Sequence, residues 1–273
     1  MTSWFERLLS RFSPPGGRER SEDDDVATQM EDAYDAAELG DHATAVALWR
    51  PLAEAGVARA QSNLGACYAE GLGLERDPEL AAEWLIRAAE AGDAVGQRNL
   101  AALHFKGEGV PQDDVAALEL YSAAAEQGDA AAQDMLSWML LEGQGAPADP
   151  VAARRWALAA AEADVATSMT RLGLIAHNAL GMERDPIEAA RWWFEAARRG
   201  DADGQAMLGA ALHLGQGVEH DDRAALVWLL RADAGGSALA APFLGPVRAE
   251  LSAEDAARAE EAAARPIAPE PAA

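Results

Sequence analysis

Two histidines are the residues of this chain whose type and spacing best suit metal chemistry. The 273-residue sequence contains five histidines, and His177 and His213 stand 36 residues apart. This interval is also the period of the repeat described below, so the pair could face one groove and share a metal ion. A protein zinc site needs at least three protein ligands, and no spacing in the sequence supplies the third. We therefore predict no metal and interpret both histidines as polar groove residues.

The single cysteine, Cys67, is the only candidate for thiol chemistry. It lies on an apolar stretch of a predicted helix, where a cysteine behaves as a small core residue more often than as a nucleophile. One cysteine forms no intrachain disulfide, and no apolar run is long enough for a signal-peptide core. These features favour a cytoplasmic location.

Common phosphate and acyl-transfer motifs are excluded by the lysine content. Lys106 is the only lysine, and it follows Phe105 in a His-Phe-Lys-Gly context. Neither a Gly-Lys-Ser/Thr phosphate loop nor a Ser-x-x-Lys acylation site can therefore exist. Several Gly-x-Gly loops are present, but each follows a predicted helix instead of the strand that a dinucleotide fold requires. Carboxylates are too numerous to single out a catalytic pair, so we predict no catalytic residues and no cofactor.

A 36-residue repeat without insertions organises most of the chain. It is visible in five aspartates, Asp77, Asp113, Asp149, Asp185 and Asp221, and in glycines four residues earlier, Gly73, Gly109, Gly145, Gly181 and Gly217. A fixed period between 20 and 50 residues is typical of a solenoid, in which each unit packs mainly on its neighbours. We predict five full repeats over residues 57–236.

Each repeat reads as two helices joined by a short loop. In residues 57–92, an apolar stripe at helical spacing (helix A) ends at the Gly71-Leu72-Gly73 loop. Asp77 suits a helix N-cap and Pro78 the first helical position, so a second helix (helix B) starts there and ends before Gly92. We expect about 14 residues per helix and antiparallel neighbours.

Small and large residues alternate at fixed positions, which predicts an interdigitated core. One helix A row is small: Gly65, Ala101, Ser137, Gly173 and Gly209. Two rows are mostly large: Leu64, Leu100, Leu136, Leu172 and Leu208 on helix A, and Trp84, Leu120, Trp156, Trp192 and Trp228 on helix B. We expect these large residues to fill the space between the helices.

The pattern resembles the Sel-one-like repeat, a relative of the tetratricopeptide repeat. The matching positions in the first full repeat are Ala58, Gln61, Leu64, Gly65, Gly71, Gly73, Asp77, Ala81, Trp84, Ala88, Ala89 and Gly92. The resemblance implies an all-α, right-handed α/α solenoid of antiparallel helix pairs, a concave groove lined by helix A, and adaptor or scaffold work. Some cysteine-rich relatives are claimed to be hydrolases, and such an enzyme is the alternative function. The missing Ser-x-x-Lys motif and disulfide framework argue against it.

Two residues depart from the repeat pattern. Ala179 replaces the first loop glycine of the fourth repeat, and Asp164 replaces the glycine that ends the third. We expect the angle between helices to change at both places.

Further segments flank the array. Residues 26–56 keep part of the register and read as a degenerate capping repeat, and residues 237–265 as a partial repeat and a capping helix. Pro246 is expected to interrupt the register there, and Ser252 with Asp255 to form a capping box that starts the last helix. Residues 266–273 form a Pro-rich tail.

Residues 1–13 read as a short amphipathic helix, followed by a disordered linker at 14–25. Its apolar side consists of Trp4, Phe5, Leu8, Leu9 and Phe12. Such a helix can contact a membrane surface peripherally, as at the inner membrane of a bacterium, or contact a partner protein. The alternative is a segment that folds back on the array or stays mobile.

The net charge of −24 comes from 46 acidic and 22 basic residues. A surface of this sign repels phosphate backbones, so we predict no nucleic-acid partner. The Ala- and Arg-rich, Lys-poor composition fits a bacterial source.

Helix A positions that point away from the stack vary between repeats, as expected of a binding groove on a repeated scaffold. The tetratricopeptide resemblance carries partner contacts onto these positions, and we predict the groove residues Arg98, Phe105, Lys106, Trp138, Leu141, His177, Asn178 and His213. The alternative is that Phe105 and Trp138 only fill the stack. We predict a non-catalytic adaptor that binds a protein or peptide, and the expected setting is a bacterial signalling or envelope-associated complex. The sequence leaves the oligomeric state open.

Overall fold

The computed structural model describes residues 22–267, and this part of the chain is all-helical. It contains fourteen α-helices: α1 Glu22–Glu38, α2 His42–Glu54, α3 Ala58–Glu70, α4 Pro78–Glu90, α5 Ala94–Lys106, α6 Asp114–Glu126, α7 Ala130–Glu142, α8 Pro150–Glu162, α9 Ala166–His177, α10 Pro186–Arg198, α11 Ala202–Leu214, α12 Asp222–Ala234, α13 Ala241–Glu250 and α14 Ala253–Ala263. The predicted all-α solenoid of helix pairs is confirmed. The predictions for residues 1–13 lie outside the described residues.

The helix boundaries follow the repeated capping residues. Asp77 has an extended backbone, and its side chain accepts a hydrogen bond from the Leu80 N–H at 3.0 Å. Asp113, Asp149, Asp185 and Asp221 cap α6, α8, α10 and α12 in the same way. A carboxylate at this position satisfies an N–H that has no partner within the helix. The helices of the five full repeats have 13 residues, except α9 with 12, against the expected 14.

Helix A lies on the inner side of the solenoid. Successive helix A elements contact one another at three of the four junctions between full repeats, whereas no two successive helix B elements are in comparable contact. Because the inner side of a curved stack is the shorter one, the elements in closer contact line its concave side. The concave groove therefore runs along α3, α5, α7, α9 and α11.

The second loop glycine brings the backbones of adjacent repeats together. At Gly109, with φ +68°, an added Cβ would lie 2.0 Å from the carbonyl oxygen of Pro78 in the preceding helix B. Gly217 meets Pro186 in the same way, at 1.9 Å. These positions tolerate no side chain, so the loop glycines set how closely the repeats stack.

The core confirms the predicted large row on helix A and shifts the row on helix B. Leu64 and its four equivalents are buried. Opposite the small position, however, the helix B side chain comes one residue later than predicted: Leu85 faces Gly65, and Trp193 faces Gly173. One residue turns a helix by about 100°. Most of the earlier row consequently points partly outward, and Trp156, Trp192 and Trp228 are only half-buried. Trp84 is the exception, because it lies in the core as predicted.

Asp164 and Ala179 keep the left-handed backbone of the glycines they replace. Their φ angles are +63° and +58°, and they are the only non-glycine residues with positive φ among those described. The backbone conformation is therefore unchanged at these two residues, and the expected change of angle between helices stays a prediction. A residue with a Cβ adopts this conformation at a cost of about 1–2 kcal/mol. Asp164 also forms an ion pair with Arg199, with 2.8 Å between its Oδ1 and the Nη2 of the guanidinium.

Replacing Ala179 with glycine is expected to stabilise the protein. Relief of the left-handed strain outweighs the extra freedom that glycine adds to the unfolded chain, for a net gain of about 0.5–1 kcal/mol. The matched reverse variant is Gly143→Ala at the equivalent position, where φ is +73°. It should lose about 1 kcal/mol. Urea unfolding measures both, and a loss of stability in the Ala179→Gly variant would show that the strain is not real.

The two ends of the array differ in part from what the sequence predicts. Helix α1 begins at Glu22, so residues 22–25 are helical and not part of a disordered linker. Acidic residues such as Asp25 favour a helix N-terminus through the helix dipole. Pro246 lies inside α13, so the chain stays helical through this residue. This residue is exposed, so water can satisfy the carbonyl left without a donor. Ser252 caps α14 as predicted, accepting from the Asp255 N–H at 3.1 Å.

Candidate functional site

The concave groove contains an apolar pocket near its C-terminal end, which we call the groove pocket. Its volume is about 420 Å³, and its walls come from α9, α11 and the segment leading into α13. Leu174 and His177 stand on α9, Ala210 and Leu214 on α11, and Leu239 and Phe243 at the far wall. Its lining contains no acidic residue, lysine or arginine. In a chain of net charge −24, this makes the pocket an uncharged island.

His177 forms part of the groove pocket together with the indole of Trp193. The two rings lie 5.4 Å apart at 47°. The buried Nδ1 of His177 has no hydrogen-bond partner within the described part of the chain. Burial lowers the pKa of His177, and the nearby Arg184 lowers it further. This imidazole is therefore neutral at neutral pH, and its ring adds no charge to the wall of the groove pocket.

His213 does not join His177 in the pocket. Its Nδ1 lies 2.5 Å from a carboxylate oxygen of Asp222 in the first turn of α12. The other Asp222 oxygen lies 3.2 Å from Nε2 of His220. The two histidines at equivalent repeat positions thus have different partners, because Asp222 is within reach of one only. Among residues 22–267, no three histidine, cysteine or acidic side chains are arranged to hold a metal ion.

Phe105 and Trp138 bridge consecutive helix A elements in the middle of the groove. Their rings meet edge to face, with centroids 5.5 Å apart and planes at 89°. Both are half-buried and pack on the core cluster that includes Tyr121, Leu136 and Met139. The pair therefore contributes to the stack and also to the groove surface. Of the other predicted groove residues, Lys106 and Asn178 are exposed and Leu141 is half-buried.

Arg98 is held by the next repeat. Its guanidinium donates to Asp129, the N-cap of α7, at 2.9 Å. Ser62 and Thr170, at the equivalent positions, donate to Asp93 and Asp201 at 2.7 and 2.6 Å. At these three of its five positions, the row therefore ties a repeat to the cap of the following helix A.

The pKa of Asp93 reflects that linkage. Burial would raise it, but hydrogen bonds from Ser62, the Gly96 N–H and Arg59 outweigh burial and lower it below the usual range. This linking role of the aspartates is not among the predictions from the sequence. The recurrence of aspartate at 93, 129 and 201 could have indicated it.

Buried glutamines provide a second tie between repeats. Gln61, Gln133 and Gln205 donate their side-chain N–H to backbone carbonyls of the preceding helix B, at 3.1, 3.2 and 3.1 Å. Buried polar groups require such partners. The glutamine of the repeat pattern is thus a structural residue, not a groove contact.

The outer side of the stack has a depression of about 900 Å³ that was not predicted from the sequence. It lies between α10 and α12, and its lining includes Ile187, Trp192, Phe194 and Trp228. The sequence contains a pattern that could have predicted this depression. Helical geometry places Trp192 and Trp228 partly on the outer face of helix B.

The chain matches the Sel1 repeat family at residues 58–93, 94–129, 130–165, 166–201 and 202–236. A protective antigen of uropathogenic Escherichia coli displaying an SLR fold superposes with a TM-score of 0.75 and 30% sequence identity, covering 86% of this chain and 52% of that chain. This chain therefore spans about half of that antigen's length. A Sel1 repeat protein from Oxalobacter formigenes gives a TM-score of 0.77 at 26% identity, covering 89% and 99%. No curated protein matched the sequence.

Proposed function

The chain belongs to the Sel1 repeat family, and from that premise we propose that its concave groove binds a protein or peptide without catalysing a reaction. Sel1 repeat proteins generally mediate protein–protein interactions, and their scaffolds are typically non-catalytic. The partner contacts come from the variable face of helix A, around Phe105 and Trp138 and in the groove pocket. The chain acts as an adaptor, in a bacterial signalling or envelope complex.

The edge-to-face pair of Phe105 and Trp138 is the observation that carries this proposal. It places two half-buried aromatic rings on the concave side, next to the exposed Lys106. Aromatic side chains anchored in a packed surface dominate the binding energy of many interfaces. The exposed parts of the Phe105 and Trp138 rings are available to a partner.

None of the helices between residues 22 and 267 has the length and apolarity that a membrane span requires. Membrane contact through residues 1–13 stays a prediction.

Replacing Trp138 with alanine is expected to weaken partner binding strongly. The partner would first be identified by affinity purification of the full chain and mass spectrometry, and the purified pair then measured by calorimetry. Loss of a central aromatic anchor should weaken binding by about tenfold or more. A matched control exists in the same repeat: Trp156 on helix B is also half-buried and packs on the same core cluster. Both variants should lose about 2–3 kcal/mol of stability, and only Trp138→Ala should lose the partner.

Two results would contradict the proposal. Equal loss of the partner in the Trp138→Ala and Trp156→Ala variants would show that binding follows stability and not the groove. Substrate turnover by the purified chain would contradict its non-catalytic character.

A further inference from the structure

The side chain of His220 bridges the two ends of the loop between α11 and α12. Its Nδ1 lies 2.7 Å from the carbonyl oxygen of His213, in the last turn of α11. A carbonyl oxygen only accepts hydrogen bonds, so this Nδ1 carries a proton and donates it. Nε2 of the same ring lies 3.2 Å from a carboxylate oxygen of Asp222, the first residue of α12. The imidazole therefore connects the end of one helix to the start of the next.

The charge of His220 determines how strong this bridge is. When only Nδ1 is protonated, the lone pair of Nε2 faces the carboxylate of Asp222, and the two repel each other. A second proton turns that contact into an ion pair, because the imidazolium has an N–H at both nitrogens. Histidine is the side chain that ordinarily changes charge between about pH 5 and 8. The bridge is therefore strong when His220 is charged and weak when it is neutral.

Two other repeats close the same loop with a permanent charge. Arg76 and Arg184 hold the position of His220 in the first and fourth full repeats. Their Nε atoms donate to the equivalent carbonyl oxygens, those of Ala69 and His177, at 2.9 and 3.1 Å. An arginine side chain stays charged at every pH at which proteins fold. The fifth repeat thus has a titratable group where these two repeats have a permanent cation.

Asp222 completes the bridge, and the fifth repeat alone combines such a carboxylate with a histidine at the position of His220. The equivalents of Asp222 in the first, third and fourth repeats are prolines: Pro78, Pro150 and Pro186. In the second repeat, Asp114 accepts a hydrogen bond from Gln112. Asp222 is only 11% exposed, and its other oxygen lies 2.5 Å from Nδ1 of His213. The dipole of α12 favours its negative charge at this end of the helix.

The other charged groups around His220 include one more histidine. The groups that surround it, from α11, the loop, α12 and α14, are His213, Glu219, Asp221, Asp222, Arg223 and Asp255. Carboxylates and guanidinium groups ordinarily keep their charge between about pH 6 and 8. Among these six groups, His213 is therefore the one that can also change charge in this range, and substitutions must separate its effect from that of His220.

We propose that His220 is a pH-sensitive latch on the loop at residues 215–221. The latch holds the loop closed at mildly acidic pH and weakens as the pH rises and the imidazole loses its second proton. An interaction that favours the protonated form of the folded chain stabilises it at low pH, and this stabilisation is lost as the pH rises. Leu214 and Gln216 adjoin the latch and line the groove pocket, so the latch also holds one wall of that pocket.

Hydrogen exchange of the full chain at about pH 6 and about pH 8, corrected for intrinsic exchange rates, measures the latch. The amides of Gln216 and Asp221 report on it, because both donate to carbonyls of α11 across the loop. Their protection should fall about threefold between the two pH values, as the loss of a partly exposed ion pair predicts. The Leu72 and Asp77 amides are the matched control in the first repeat. Arg76 holds that loop, so their protection should change less than about 1.5-fold.

Two substitutions separate His220 from the other histidines. His220→Arg introduces the residue of the first and fourth repeats, and the loop should stay protected at both pH values. His220→Ala introduces the residue found at the equivalent position 148, and protection should be low at both pH values. His213 is unchanged in both variants, so any pH dependence that persists in them belongs to another group. Circular dichroism confirms that both variants are folded.

Four outcomes overturn the latch. Protection in the unmodified chain could be the same at both pH values, or the His220→Arg variant could keep the full pH dependence. The His220→Ala variant could be as protected as the unmodified chain at the lower pH. A loss of protection spread evenly over α11 and α12 would show a change in global stability and not an opening of the loop. Partner capture that depends on Trp138 is independent of these results, so failure of the latch leaves the adaptor proposal standing.

Discussion

The Gly109→Ala variant is expected to lose about 3 kcal/mol or more of its free energy of unfolding, because the new methyl group collides with a neighbouring backbone. The added Cβ would lie 2.0 Å from the Pro78 carbonyl oxygen and 2.3 Å from the carbonyl carbon. Neither atom belongs to a flexible side chain, so the two repeats must move apart to accommodate it. The positive φ of +68° adds strain of about 1–2 kcal/mol.

Gly128→Ala is the matched control for this variant. Gly128 has a φ of +89°, but an added Cβ would meet nothing within 4 Å. The control therefore carries the conformational strain alone and should lose about 1 kcal/mol. Urea unfolding measures the total loss, and hydrogen exchange locates it. Because a repeat array can open locally, we expect faster exchange at the junction of α4 and α5. Equal losses in the two variants would show that the loop does not control stacking.

The Gly173→Ala substitution is expected to change sign with its background. In the unmodified chain its Cβ would lie 2.2 Å from Nε1 of Trp193, a side chain only 3% exposed, and stability should fall by about 2–4 kcal/mol. In a Trp193→Ala background the obstacle is gone. Alanine is then the better helix former, and the same change should raise stability by up to about 1 kcal/mol.

A double-mutant cycle by urea unfolding measures this coupling. The background variant is expected to fold, since Ala157 holds the same position in the third repeat. It should itself lose about 3–5 kcal/mol, because an indole is removed from the core. Additive effects of the two substitutions would show that Trp193 does not press on Gly173. The indole of Trp193 also donates a hydrogen bond to the Thr170 carbonyl at 3.3 Å and lines the groove pocket. The cycle therefore also tests whether contact with Gly173 positions this side chain of the pocket.

The site was predicted only in part. Phe105, Trp138 and His177 lie along the inner helices, but their roles in binding stay predictions. Arg98 is predicted as a groove residue, and its guanidinium forms an ion pair with Asp129. His177 and His213 share a repeat position, yet one packs on Trp193 and the other on Asp222. Register alone cannot separate such cases, because equivalent backbone positions have different neighbours in each repeat.

The sequence by itself determined the helix pairs, the capping residues that start and end them in the full repeats, and their stacking order. Capping aspartates such as Asp77 and loop glycines such as Gly109 act through local backbone chemistry, which a sequence displays directly. Only the tertiary structure decided which helix B residue faces the small position, that Ala179 keeps a left-handed backbone, and where the groove pocket forms. These outcomes depend on side chains that meet across helices and repeats. The rotation and separation of the packed helices determine those meetings, and a linear pattern does not contain them.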